Sequence, residues 1–538
     1  MLTLNRKEIQ DRAAWEKAGV KVPAFDISKM IEDTKANPVW LHFGSGNIFR
    51  GFIAKLQQQL LEAGETTQGI IAGETFDFDI INKIYTPHDN LSILVGLKPD
   101  GSMENEVIAS IAEGVKADTS DAEQLARLEE IFRNPSLQMV SFTITEKGYA
   151  LNDMSGNLSG LVQADIKNGP KQAKHAVSVV TGLLYERYQN GAAPIAMVSM
   201  DNCSHNGEKL RNSVLTIAKA WVESGIMEEG FLAYVEDEEK VSFPWSMIDK
   251  ITPRPAKEVE DKLTEAGIAD MAPIVTSRNT FIAPFVNAEI PQYLVVEDRF
   301  PNGRPKLEDA GVYMTDRDTV NKTEKMKVTT CLNPLHTALA VYGCLLGYTS
   351  ISSEMKDAEL VKLIEKIGYD EGMPVVVNPG ILDPMDFIHE VIDMRLPNPF
   401  IPDTPQRIAT DTSQKVPVRF GETIKSYIAR EDLDVTTLTY IPLAIAGWCR
   451  YLLGVDDNGE TMEVSSDPML AELTGYLKDV KVGEPESGKD ALKPILSNPV
   501  LFTVNLYEVG LGEKVESMFM DMLAGKGAVR ATLVKYLG

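Results

Sequence analysis

The chain has 538 residues, 44% of them hydrophobic and 24% charged, and a formal net charge of -25. That length exceeds what one hydrophobic core ordinarily supports, so two large domains are expected. A pI near 4.8 excludes the basic stripes that nucleic acid or an anionic membrane demands, and an anionic small substrate would need local cations.

The N-terminal segment MLTLNRKEIQDRAAWEKAG is too charged for a secretory h-region, and Cys203, Cys331, Cys344 and Cys449 form no CxxC pair, which together point to a reducing cytoplasm. No apolar run reaches the roughly 18 residues of a membrane span. His42, His88, His175, His205 and His389 show no HxxxH or His/Cys spacing, so no metal is expected. An acidic chain without an obvious exposed apolar helix suits a monomer or weak homo-oligomer.

In chain order, residues 39–43 (VWLHF) read as a short strand, followed by Gly44-Ser45-Gly46-Asn47. Ile48, Phe52, Leu56 and Leu60 then fall at helical spacing before the stop at Gly64, and a second apolar run at 69–73 ends in Glu74. In such a strand, glycine turn, helix and strand, backbone N–H groups at Gly44, Gly46 and Asn47 let a pyrophosphate approach the positive end of the helix. Phe49 stands where the usual third glycine would fall. Glu74, with Asp77 as competitor, is placed to take the adenosine ribose hydroxyls and to repel a 2′-phosphate, favouring NAD over NADP. The alternative is an ordinary strand-to-helix turn.

Further strands at 139–145 and 194–200, separated by a helix at 174–188, continue the alternation that implies a parallel sheet covered on both faces. Beyond the turn-rich 298–305 the pattern changes to helices at 335–348, 354–368, 421–430 and 514–537. The expectation is an α/β N-terminal Rossmann-like domain with a mostly parallel sheet over 1–320, binding a dinucleotide, and a predominantly α-helical C-terminal domain over 321–538 that binds substrate.

Residues 327–336, KVTTCLNPLH, concentrate the chemistry. A metal-free dehydrogenase needs a general base for the alcohol proton. Lysine, with an ordinary pKa of about 10.4, serves once burial or a neighbouring cation brings it to about 7–8; Lys327, close to Lys325, is the candidate. Asn333, and Asn202 just after the strand 194–200, are candidate amide donors to a developing alkoxide. His336 can donate to or accept from the reacting oxygen or an adjacent hydroxyl. The bland alternative makes Asn333-Pro334 a helix cap and His336 a core residue.

Several motifs in order, FGSGNIFRGF, SFTITEKGY (141–149), SMDN (199–202), MIDKITPRP (247–255), VVEDRFPNGRP (295–305), LNPLH and DTPQRIATDTSQKVP (403–417), resemble the polyol-specific long-chain dehydrogenases and reductases, the mannitol dehydrogenase family. The resemblance implies catalysis in the cleft between two domains, with Lys327 as general acid/base, Asn202 and Asn333 as oxyanion hole, His336 beside them, and Glu324 gating proton exchange with water. It implies sugar contacts from Arg407 and Lys415, otherwise read as solvated surface cations, and a nicotinamide-side loop at Thr145 and Glu146, otherwise a solvated loop. Arg395 is a further candidate for a cationic pocket.

The family has four residues between lysine and asparagine where this chain has five. One extra residue turns a helical side chain by about 100°, so Lys327 fits only if the insertion is absorbed before the helix or in a bulge. The wording LNPLHTALAVYGCLLGY resembles the mannonate branch, implying reduction of D-fructuronate by NADH to D-mannonate. Mannitol 2-dehydrogenase and tagaturonate reductase are the alternatives, and a catalytically inactive nucleotide-binding regulator is the non-enzyme one.

Overall fold

The structure is a computed structural model that describes every residue except Met154. The chain divides into two compact units, Met1–Asn321 and Lys322–Gly538, the division falling inside the helix Arg317–Met326.

The first unit is built on six strands: β1 (Trp40–Phe43), β2 (Ile70–Glu74), β3 (Ile111–Lys116), β4 (Met139–Phe142), β5 (Ile195–Ser199) and β6 (Val241–Ser242). Their spatial order is β3-β2-β1-β4-β5-β6, and every pairing is parallel. This is the doubly wound order, in which the direction of winding reverses between β1 and β4 and opens a crevice at their carboxyl ends. Residues along β1, β2, β4 and β5 are buried throughout, which is why they read as continuous apolar runs.

Neighbouring residues feed opposite faces of this sheet, as a period of two requires. Leu41, Ile71, Val140 and Met197 enter one core with Leu128, Leu184 and Trp221; Trp40, Ile70, Met139 and Ala196 enter the other with Phe52, Leu56 and Leu60.

Local differences from the sequence reading have identifiable causes. The helix after the glycine turn widens into a π-turn at Phe49–Ile53 before continuing as α-helix Ala54–Ala63, closed by Gly64 at φ 74°. The helix expected at 174–188 runs over Ala176–Gln189, with the His175 side chain accepting from Val177 N. The strand expected to reach residue 145 stops at Phe142. A four-stranded sheet of Val20–Lys21, Met103–Ile108, Ser92–Leu97 and Phe285–Glu289 was not foreseen, nor was a separate hairpin of Ile274–Val275 with Phe281–Ile282.

All named strands lie in the first unit, and the second is helical. The segment 354–368 is interrupted, giving helices Ile351–Glu354 and Ala358–Glu365 and a π-turn Lys366–Gly372. The segment 514–537 is two helices, Gly512–Met522 and Ala528–Leu537, parted by Gly525 and Gly527 at φ 128° and 78°. The central helix Asn333–Leu345 is buried nearly all round and crosses Tyr440–Tyr451 closely, with Tyr342 Oη donating to Leu443 O at 2.7 Å. Among the described residues no helix is long and apolar enough to cross a membrane.

That crossing depends on Gly447, where a Cβ would stand 2.6 Å from the Tyr342 ring. Gly447→Ala should therefore overpack the contact and lower unfolding stability by about 1–3 kcal/mol, read as a lower guanidinium midpoint at unchanged slope.

Candidate active site

The carboxyl end of β1 turns at Gly44, whose φ of +106° and whose would-be Cβ, 2.2 Å from Thr143 O, admit glycine alone. Two residues on, nothing lies within 4 Å of the would-be Cβ of Gly46, and a helix opens at Asn47. Bare backbone before a helix N-terminus is the cradle a pyrophosphate requires. The Asn47 side chain is engaged locally: its Oδ1 accepts from Arg50 Nη2 at 2.9 Å. Arg50 also donates to Ala283 O at 2.8 Å, and burial pushes its guanidinium down to about 10.

Glu74 is engaged differently from the ribose contact expected of it. Its Oε1 accepts from the amides of Thr75, Phe76 and Asp77 at 3.0, 2.9 and 3.2 Å, and Oε2 from Ser45 N at 2.9 Å. The carboxylate thereby ties the glycine turn to the end of β2. Burial raises its pKa against these four amides. Asp77, also buried, accepts from Thr276 Oγ1 at 2.6 Å through Oδ2, while Oδ1 has no partner. Phe76, between the two acids, is 61% exposed and carries the Arg278 guanidinium 4.8 Å above its ring. The hairpin 274–282 is thus pinned to the end of β2, and an orphaned acceptor stands where a hydroxyl donor is needed. These features fit a bound dinucleotide.

At the ends of β4 and β5 the organising residue is Asp201, which the sequence reading passed over. Oδ1 accepts from Thr145 N at 2.9 Å; Oδ2 accepts from Ile144 N at 3.0 Å and from Tyr149 Oη at 2.5 Å. These bonds hold Thr145 at φ +66°, a left-handed conformation costly for a β-branched residue. Glu146 pairs with Lys209, and both remain substantially exposed, so its side chain follows the solvated alternative. Asn202 is exposed beside Asp201, and the buried Asn206 carboxamide fastens the same loop to Ser199 O and Ser246 O at 3.2 and 3.0 Å.

The helix Arg317–Met326, whose last turn with Glu324 belongs to the second unit, runs directly into a π-turn, Lys327–Cys331, closed by Leu332 N donating to Lys327 O at 3.1 Å. A π-turn holds one residue more than an α-turn, so the fifth residue between Lys327 and Asn333 is taken up here, ahead of the helix Asn333–Leu345. Lys327 is only 2% exposed. Asn333 makes no side-chain cap, and its carboxamide has no hydrogen-bond partner among the described residues.

His336, one turn further, has Nε2 3.3 Å from Asp403 Oδ2, poorly aligned for a hydrogen bond. Burial pushes its pKa below the usual range, Asp403 opposing and Arg419 and Arg407 adding. Desolvation raises the Asp403 pKa, but His336 and Arg407 outweigh it and hold it low.

The two expected sugar-contacting cations differ. Arg407 is 68% exposed and lies on Asp403 Oδ1 at 2.7 Å. Lys415 is half-buried and donates to Ile408 O at 2.9 Å and to Thr410 O; burial, then Arg419, pushes it down to about 8. Arg395 is buried in a π-turn, Val391–Arg395. Arg419, which no sequence signal singled out, donates to Thr337 Oγ1 next to His336.

The first unit matches the mannitol dehydrogenase Rossmann domain over residues 39–309, and the second the mannitol dehydrogenase C-terminal domain over 319–517. The chain belongs to the mannitol dehydrogenase family. It is an oxidoreductase of dehydrogenase type. It is 57% identical over 539 residues to a D-mannonate oxidoreductase of Thermotoga maritima, covering 100% of this chain and 99% of the relative. Among solved structures it is similar to a substrate-free D-sorbitol dehydrogenase (TM-score 0.78, 27% identity, 96% of this chain and 98% of the other). It is also similar to a Pseudomonas fluorescens mannitol 2-dehydrogenase in ternary complex with NAD and D-mannitol (TM-score 0.70, 25% identity, 100% of this chain and 99% of the other).

Two outcomes follow from the geometry of this family member. Asp201→Asn should release Thr145 from its left-handed turn and weaken dinucleotide binding about tenfold in a fluorescence titration; unchanged binding would show that the loop does not serve the cofactor. Lys415, held near 8 in the folded chain against about 10.4 unfolded, binds more protons unfolded between those values, so its contribution to stability rises with pH across that window. Lys415→Met should be more stable than the parent at pH 7, with the gap narrowing from pH 8 to 10; a pH-independent gap would contradict this.

Proposed function

We propose that the protein is an NAD-dependent D-fructuronate reductase, converting the keto-acid to D-mannonate. The observation that carries this reading is the group at the head of the helix Asn333–Leu345: an Asn333 amide without a partner among the described residues, His336 set against Asp403, and the buried Lys327 one π-turn earlier. The 57% identity to a D-mannonate oxidoreductase along the whole chain supports the substrate.

When bound, NADH supplies the hydride to the carbonyl carbon. Lys327 delivers the proton to the oxygen as the alcohol forms and takes it back in the oxidative direction. Asn333 donates to that oxygen while it carries alkoxide charge, where a preplaced neutral donor acts most strongly. His336 bonds the same oxygen or its neighbouring hydroxyl, and Glu324 exchanges the Lys327 proton with water. Lys415 and Arg407 contact the sugar chain.

For the dinucleotide, the backbone at Gly44, Gly46 and Asn47 takes the pyrophosphate, and the Thr145–Glu146 turn backs the nicotinamide. Of the two acids at the end of β2, Asp77 is the better ribose partner, because its Oδ1 lacks a donor whereas Glu74 already accepts four amides. Two carboxylates there disfavour a 2′-phosphate, which supports NAD. The buried thiols Cys331, Cys344 and Cys449 suit a reducing cytoplasm.

The test is oxidation of NADH and NADPH by purified protein with D-fructuronate, D-tagaturonate and D-fructose side by side. D-fructuronate with NADH should be preferred, and Lys327→Ala should lower kcat by about 10²- to 10⁴-fold. Preference for D-fructose would assign a mannitol dehydrogenase, and an undiminished Lys327→Ala would mean that another group moves the proton.

A further inference from the structure

Arg419 is anomalous in a chain with 78 acidic and 53 basic residues. It stands in the π-turn Pro417–Gly421 and is partly buried, with burial alone pushing its guanidinium down to about 10. Its guanidinium has five N–H donors, yet its hydrogen bonding among the described residues is a single donation, from Nη1 to Thr337 Oγ1. No carboxylate lies within ion-pair distance of it among the described residues, although Arg407, twelve positions earlier, pairs with Asp403. A partly desolvated cation gains from a counter-ion, and an acidic chain has ample means to supply one.

The surroundings reinforce the imbalance. Lys415, one turn earlier on the same segment, meets only carbonyl oxygens of Ile408 and Thr410. Thr337, which orients Arg419, directly follows His336, and Asn333 lies one turn before that. Of the two acids that bear on Lys415, Asp411 and Asp467, Asp467 is committed to Ser413 N and Oγ at 2.8 and 2.5 Å; Asp403, closer to His336, holds Arg407. The missing counter-ion therefore belongs beside the group proposed to handle the reacting oxygen.

We propose that Arg419 binds the carboxylate of the substrate and is the residue that selects a sugar acid over a neutral sugar of the same length. A planar guanidinium receives a carboxylate in two parallel hydrogen bonds, which an alcohol group cannot reproduce. Thr337 sets the plane of that fork. The proposal rests on the oxidoreductase reading of this site but not on which keto-acid is reduced.

The experiment is steady-state kinetics of the full chain with D-fructuronate, D-tagaturonate and D-fructose at saturating NADH, for the parent and for Arg419→Met, Arg419→Lys and Thr337→Val. Arg419→Met should raise KM for the preferred keto-acid roughly ten- to hundredfold while kcat changes much less, and the acid-to-neutral preference should collapse towards parity. Arg419→Lys, which keeps the charge but not the fork, should retain part of the preference, and Thr337→Val should lose a smaller part. NADH binding and the melting temperature should not fall in Arg419→Met, since a partly buried unpaired charge has been removed.

A keto-acid preference that survives in Arg419→Met, or an equal loss on acid and neutral sugar, would overturn the assignment of Arg419 and leave the proposed reaction intact. A parent that prefers D-tagaturonate would correct the substrate and leave Arg419 standing if the variant loses that preference. A parent that prefers D-fructose would remove both.

Discussion

Several of the cations enclosed in this protein stand where its helices widen, whereas Arg187 and Arg450 are enclosed within the regular α-helices Ala176–Gln189 and Tyr440–Tyr451. Arg50, Lys327, Arg395 and Arg419 occupy four separate π-turns, at Phe49–Ile53, Lys327–Cys331, Val391–Arg395 and Pro417–Gly421. The first three are nearly inaccessible and the fourth is partly buried. A long basic side chain seldom goes inside unless something there needs its charge, and a π-turn, which spoils regular hydrogen bonding for one turn, tends to persist where function rewards it. Widening shifts the register of a helix by one residue without breaking it. In Lys327–Cys331 that shift takes up one of the five residues that separate Lys327 from Asn333.

Anionic groups are used in the opposite sense. Glu74 and Asp201 stand at the carboxyl ends of parallel strands, where a dinucleotide fold leaves backbone amides without strand partners. Each carboxylate collects several of them: four for Glu74, two plus the Tyr149 hydroxyl for Asp201. The loops that face ligand are thereby fixed in shape before any ligand arrives. Thr145 shows the tension involved, a β-branched residue kept at φ +66° by bonds to its amide and its neighbour's.

Much of this was legible in the sequence, and the limits have physical causes. The parallel sheet and the glycine turn were visible because fully buried strands read as apolar runs and because Gly44 tolerates no other residue. The second sheet was not, since it joins Ser92–Leu97 to Phe285–Glu289, partners almost two hundred residues apart. The break at Gly525 and Gly527 did leave a signal that helical periodicity on either side obscured. In the site, the spacing of Asn333 and His336 was readable, whereas the direction of a carboxylate was not: an acid at the end of β2 looks the same in sequence whether it meets a ribose or four amides. The burial of Arg419 has no local signature at all, since among 53 basic residues only tertiary packing decides which one is enclosed.

The long-range field and the local site therefore act in opposite directions on an anionic sugar. A net charge of -25 repels it at distances beyond roughly 8–10 Å, the reach that physiological salt leaves to exposed charges. Within that distance the helical unit presents Arg419 and Lys415 without a directly bonded acid, in surroundings dry enough to depress both and hence to strengthen any pairing with a carboxylate. A neutral polyol feels neither term. Selectivity between the two classes follows from how completely the local cations outweigh the global charge, which is a property of burial and partner choice at Arg419 and Lys415 and not of the fold they share with their relatives.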